Sequence, residues 1–463
     1  MSNNQYTRRQ FMRLSLAAAA TLSPLSALAR QPRSAGKAPG GSFKALVVVL
    51  LEGGADVFNM IAPTQADKYA DYRATRENIA LPLNTLLPFS HANQNGLNPE
   101  SYGMRSNMSA MHSLFEQGKL AIVANTGTLV QPVTRTDVEN GAPVPFELFA
   151  HNTQRSQWML GDATGSQHQG WAARIGNQLY AEGNPWFNVN VSDSNNLLQT
   201  GGFAEAIHFD DAYISPNTMN TYGFGPESGG GELGKVYQNI YKQQQESPNR
   251  LMATFARRRM NELLRPNRLE GLFDNVLQFD GFGDGVHETG KPLGRQLELV
   301  ANILSVRQEF ETRFQTERQI FFVNQHGWDT HDSDNEHQVG YLSESLAAFQ
   351  NALAEMGIED QVTTLTLSDF GRSLTSNNAG TDHGWGTHAF VMGGAVNGGD
   401  IYGRMPEMRN DSPDAWSDRM IPTTAMESYL ASATRWLGLS DAELGSLFPN
   451  LASFPDGDPG FMS

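Results

Sequence analysis

Unbroken apolar runs alternate with helically spaced ones along most of this chain. Ala45–Leu51 and Leu120–Ala124 are continuous and rich in β-branched residues, the pattern of strands buried on both faces. Phe187–Val191 alternates apolar residues with Asn, and Gln319–Val323, Val362–Leu367 and Ala389–Met392 predict three further strands. Ser109–Gln117 predicts a helix that stops at Gly118. Leu293–Phe310 places Leu297, Val300, Ala301, Leu304 and Phe310 at helical spacing, and Val339–Met356 does the same with Leu342, Leu346, Phe349 and Leu353 before Gly357. Thr423–Leu437 predicts a closing helix. Strands that alternate with helices make βαβ units, so the expected fold is α/β, a mostly parallel sheet flanked by helices on both faces.

The alternation fails between about Asn195 and Arg265. Gly225-Pro226 and Gly229-Gly230-Gly231 are followed by two polar helical stretches divided near Ser247-Pro248. This predicts a mainly helical insertion, about 195–265, within one domain spanning 43–463. Arg257-Arg258-Arg259 inside it fits a solvated helix face.

The N-terminus has a different character. Arg8-Arg9 lead a basic cluster, a mild apolar run extends from Leu14 to Leu28, and Ala27-Leu28-Ala29 supplies a small-x-small cleavage pattern. Residues 1–29 are therefore expected to be a cleaved twin-arginine signal, which carries a folded protein to the periplasm or beyond. Residues 30–42, rich in Arg, Pro, Ser and Gly, are the expected linker. The chain has no cysteine, which excludes a cysteine-linked lipid anchor, disulfides and thiolate metal sites. No stretch is apolar enough for a stable membrane anchor. The formal charge is −16, and loss of residues 1–29, which hold three arginines and no acid, takes it to −19. So acidic a surface argues against nucleic acid as a partner.

In a parallel sheet, ligands bind along the edge where the strands end. Glu52-Gly53-Gly54-Ala55-Asp56 follows the first strand, and Gly327-Trp328-Asp329-Thr330-His331-Asp332 follows the Gln319–Val323 strand. Ser368-Asp369-Phe370-Gly371-Arg372 follows Val362–Leu367, and Thr381-Asp382-His383-Gly384 precedes Ala389. Four loops thus carry carboxylates or histidines beside glycines. Asp and His donors without thiolate suit zinc, manganese or magnesium. Taken singly, each loop also has a plain structural use: Asp369 as a helix cap with Arg372 paired to a carboxylate, or Gly53-Gly54 as a tight turn.

These four motifs, with Ile421-Pro422-Thr423-Thr424 and Leu447-Phe448-Pro449-Asn450-Leu451, resemble the ordered signatures of an exported bacterial family known as domain of unknown function 1501. That family in turn resembles the alkaline phosphatase and sulfatase superfamily, whose members hold one or two divalent metals at the sheet edge and hydrolyse phosphate or sulfate esters. The resemblance, from about Lys44 to Phe454, implies metal ligands at Asp329, His331, Asp369 and His383, with Glu52 or Asp56 as the acid after the first strand. Asp369 is followed by Phe370 where the superfamily commonly has His. Ala150, in Phe149-Ala150-His151, stands where the family usually has Ser, so the nucleophile is unassigned; Thr153 and Thr126 are the hydroxyl candidates, and Arg372 is a candidate clamp for anionic oxygens. His151 reads as a ligand, a substrate contact or, by preference, a buried structural histidine. Two functions follow as expectations: a metal-dependent hydrolase of anionic phosphate or sulfate esters, or a non-catalytic binding module that acts with an exported partner protein.

Overall fold

The computed structural model describes residues 42–463 apart from 181–183, 185, 195, 204–205, 210–230, 270–271, 274–276, 278, 284–287, 289 and 456. The expected signal at 1–29, and the expected linker as far as residue 41, lie outside the described residues.

One nine-stranded sheet organises the chain. Its strands are β1 (Lys44–Leu51), β2 (Leu120–Gly127), β3 (Asn188–Asn190), β4 (Ile207–His208), β5 (Arg318–Gln325), β6 (Val362–Ser368), β7 (Thr387–Met392), β8 (Ile401–Tyr402) and β9 (Thr424–Ala425). Across the sheet the order is β8-β2-β7-β6-β1-β5-β3-β4, with β9 also pairing β2. All six expected strands are present. β1 pairs β5 and β6 in parallel, β3 lies parallel to β5 and β4, and β8 and β9 lie parallel to β2. β7 is antiparallel to both of its neighbours, β2 and β6. The sheet is thus mostly parallel, with β7 alone reversed.

Among the described residues, the helices of eight residues or more are α1 (Ala66–Arg76), α2 (Ser109–Glu116), α3 (His151–Leu160), α4 (Trp171–Leu179), α5 (Gly231–Gln244), α6 (Arg250–Leu269), α7 (Leu293–Ser305), α8 (Arg307–Phe314), α9 (Glu336–Glu355) and α10 (Met426–Leu437). The expected Leu293–Phe310 helix is two helices. Val306 leaves the helical conformation (φ −108°, ψ 20°), and α8 then buries Phe310 against Trp186 at 5.6 Å between ring centroids. The insertion contains α5 and α6 as two helices in contact, with Tyr241 meeting Phe255 edge-on at 6.0 Å.

Strand alternation sends side chains to two cores. Ala45, Val47, Val49 and Leu51 of β1 face the core shared with α2, α7 and α9. Leu46, Val48 and Leu50 face the core shared with α3, α4 and α10. Both faces being covered explains why β1 is unbroken in apolarity, each buried Val or Leu contributing ~1.5–3 kcal/mol. Among the described residues no helix is long and apolar enough to cross a membrane.

This topology sets where polar loops meet. β1, β5 and β6 finish at one edge, and reversed β7 begins there. Residues after three strands and before a fourth are therefore neighbours.

Candidate metal centre

Four side chains face one another at that edge. His151 Nε2 and His331 Nε2 each lie 3.0 Å from His383 Nε2. Asp329 completes the group, with Oδ1 at 3.1 Å from His331 Nε2 and 3.4 Å from His383 Nε2, and Oδ2 at 3.5 Å from His151 Nε2. His151, Asp329 and His383 each offer one ligand atom within 4.8 Å of the others. The Asp329 side chain is 48% exposed, so the cluster opens to solvent.

The outer nitrogen of every ring has an acceptor. His151 Nδ1 lies 2.8 Å from Asp369 Oδ2, His331 Nδ1 3.2 Å from Asp382 Oδ1, and His383 Nδ1 2.7 Å from the Phe149 carbonyl. These acceptors place a proton on each Nδ1 and leave the Nε2 lone pairs pointing inward. Lone pairs at 3.0 Å repel unless a proton or a cation lies between them. Imidazole nitrogens that share an ion at ~2.0–2.1 Å are themselves ~3 Å apart, so the donor set fits a divalent cation.

Electrostatics agree with that state. Burial, assisted by the charge of Arg372, pushes His383 below the ordinary imidazole value, which favours its neutral form. Burial alone raises the Asp329 carboxyl, but the hydrogen bond and charge of Arg372 hold it below the usual carboxylate value.

The scaffold behind the cluster explains its glycines. Gly53 has φ +125°, and a Cβ there would lie 2.4 Å from the Asp329 backbone nitrogen. Only glycine lets the loop after β1 approach the loop after β5 so closely. Phe149 adopts φ +72°, uncommon for a bulky side chain, and this aims its carbonyl at His383.

Three of the expected ligands, Asp329, His331 and His383, come together. His151, read as a ligand, a substrate contact or by preference a buried structural histidine, stands beside them. It opens α3 and is about a quarter exposed, with its Nε2 turned into the cluster. A signal was present in the sequence: His151 and Arg155 are four residues apart and share one helix face.

The other expected sites lie elsewhere. Asp369 stands behind His151, its two oxygens each 2.9 Å from Arg155, at Nε and Nη2. Glu52 takes Arg155 Nη1 on one oxygen and lies 3.1 Å from His326 Nδ1 and Asn324 Nδ2 on the other. Asp56 pairs with buried Arg76 of α1, away from the cluster. Arg372 is no free anion clamp. It is fully buried and donates to Asp329 at 2.7 Å and to the carbonyls of Gly53, Gly54, Trp328 and Thr381. Of the candidate hydroxyls, Thr153 donates to Glu147 at 2.5 Å, and Thr126 is buried in β2 at 3.4 Å from the Thr387 carbonyl. Neither faces the imidazoles.

Residues 306–428 match the model of a family described as "Protein of unknown function (DUF1501)". The match takes in Asp329, His331, Asp369, Arg372 and His383, and stops short of His151 and Glu52. No curated protein matches the chain. Among solved structures, the chain is similar to "Ps i-CgsB", with a TM-score of 0.37 and 12% identity over 90% of this chain and 78% of that one. The PsFucS1 sulfatase from Pseudoalteromonas sp. gives 0.32 and 9% over 94% and 73%. The alkaline phosphatase from the Antarctic bacterium TAB5 gives 0.26 and 8% over 77% and 93%.

Proposed function

We propose that this protein is an exported, metal-dependent hydrolase of phosphate or sulfate esters. The observation that carries the proposal is the convergence of three Nε2 atoms on Asp329, each ring braced on its outer side. Three imidazoles and a carboxylate favour zinc or manganese over magnesium, which prefers oxygen donors. A divalent ion held by His151, His331, His383 and Asp329 supplies a Lewis acid for the ester oxygen.

The remaining chemistry belongs to the chain. Arg372 fixes Asp329 and holds it ionised. Asp369, Asp382 and the Phe149 carbonyl fix the proton on the outer nitrogen of each ring, so the inner lone pairs stay available. The exposed side of Asp329 leaves a path by which an ester can reach the centre.

Elemental analysis of the mature protein, purified without chelator, tests this together with turnover of aryl phosphate and aryl sulfate. Stoichiometric zinc or manganese that is lost in His383→Ala, along with turnover, is the expected result. Absence of bound metal in the parent overturns it.

One observation favours a second reading, a non-catalytic module acting with an exported partner. Both hydroxyls considered as nucleophiles are engaged away from the cluster. Metal-loaded protein inert toward both ester classes would favour that reading.

A further inference from the structure

Behind His151 lies a second group of ligand-type side chains, gathered around a cation that belongs to the chain itself. β1 and β6 are parallel neighbours with Leu51 opposite Ser368, so the next residues, Glu52 and Asp369, leave the sheet side by side. Two carboxylates so placed repel and need a positive charge between them. Arg155 supplies it. Its Nε and Nη2 bind the two oxygens of Asp369 at 2.9 Å each, and its Nη1 binds Glu52 Oε1. The second Glu52 oxygen is held by Asn324 and faces His326, whose other nitrogen lies 2.9 Å from Asp193 Oδ1. Carboxylates from adjacent strands, with an imidazole beside them, are a metal donor set of the same kind as the outer cluster.

We propose that the Arg155 guanidinium occupies a second cation position, so that the centre binds one metal ion per chain, and that removing Arg155 opens the Glu52–Asp369 pair to a second divalent ion. The proposal rests on the outer cluster being a metal site. Helix α3 makes the arrangement compact: His151 faces the ion, and Arg155, one turn later, fills the position beside it. The guanidinium is planar and binds Asp369 through two parallel bonds, a geometry lysine cannot reproduce. Chelators, which strip a bound ion, cannot remove it.

The test is metal stoichiometry, read by elemental analysis and by manganese titration followed by electron paramagnetic resonance. The parent is expected to hold one equivalent and Arg155→Gln two, the second lost again when Glu52→Gln is added. Glu52→Gln alone is expected to keep one equivalent, because in the parent Glu52 serves Arg155 and not the ion. Two ions in the parent, or loss of its ion in Glu52→Gln, overturns the proposal even if Arg155→Gln does not fold. A folded Arg155→Gln that stays at one equivalent overturns it as well. A parent without metal overturns the one-ion proposal together with the hydrolase reading, even if Arg155→Gln gains a Glu52-dependent ion. Absence of metal in both would sink both.

Discussion

Arg372 Nη2 lies 2.7 Å from Asp329 Oδ1, and the guanidinium as a whole also serves four backbone carbonyls from three separate loops. Asp329 is half-exposed, so the ion pair itself adds little. The larger effect of Arg372→Met is to strand buried carbonyls, each at a cost of ~1–3 kcal/mol. Urea unfolding of metal-free protein should show a loss of about 3 kcal/mol or more. A loss under about 1 kcal/mol would mean that the loops hold one another without it.

Asp369→Asn removes the anionic partner of His151 Nδ1 without touching the inner nitrogens. Metal affinity should fall about 10–100-fold with stoichiometry unchanged, as for other outer-sphere partners. Asp329→Asn should abolish stoichiometric binding. Competition with a chromogenic chelator separates the two, and equal loss in both would place Asp369 among the ligands.

Asp56 and Arg76 form a pair in which Arg76 is fully buried. Leaving one partner of such a pair uncompensated costs about 3–5 kcal/mol. Asp56→Ala should therefore lower stability steeply and leave metal content unchanged. Loss of metal at unchanged stability would restore Asp56 as a ligand.

Glu427, at the start of α10, is fully buried, and burial pushes its carboxyl up to about 7. A carboxyl raised in the folded state stabilises fully below its unfolded value near 4.5 and loses that contribution as pH rises towards 7. Glu427→Gln should be near neutral at pH 4 and stabilising on the order of 3 kcal/mol at pH 8. Denaturant midpoints at the two pH values decide it; a pH-independent difference would refute the assignment.

The sheet was legible because strands covered on both faces have to be apolar throughout, and Ala45–Leu51 leaves little alternative. The direction of β7 was not legible. Ala389–Met392 has the same composition whichever way it runs, and only its pairing with β2 and β6 shows the reversal. Asp329, His331 and His383 were legible from their place beside strands. His151 escaped because it opens a helix, where one histidine carries no periodic signal, and its partners lie up to 232 residues away in sequence. Arg372 and Asp369 stand near the cluster, Arg372 against backbone carbonyls and Asp329, and Asp369 against Arg155 and His151. Which charged group bears on an ion and which on a carbonyl depends on sub-ångström placement that spacing does not encode.

The reversal of β7 has a consequence for how this edge can change. A parallel successor to β6 would require a crossover to the far side of the sheet, normally through a helix. Antiparallel β7 needs none, so residues 369–386 stay at the edge throughout and carry Asp369, Arg372, Asp382 and His383 on a single excursion. That excursion can lengthen, shorten or be exchanged between chains without rethreading the sheet. One of the four clustered side chains, His383, and two of the three acceptors that brace the rings, Asp369 and Asp382, thus sit on this excursion, while His151, Asp329 and His331 lie on other segments.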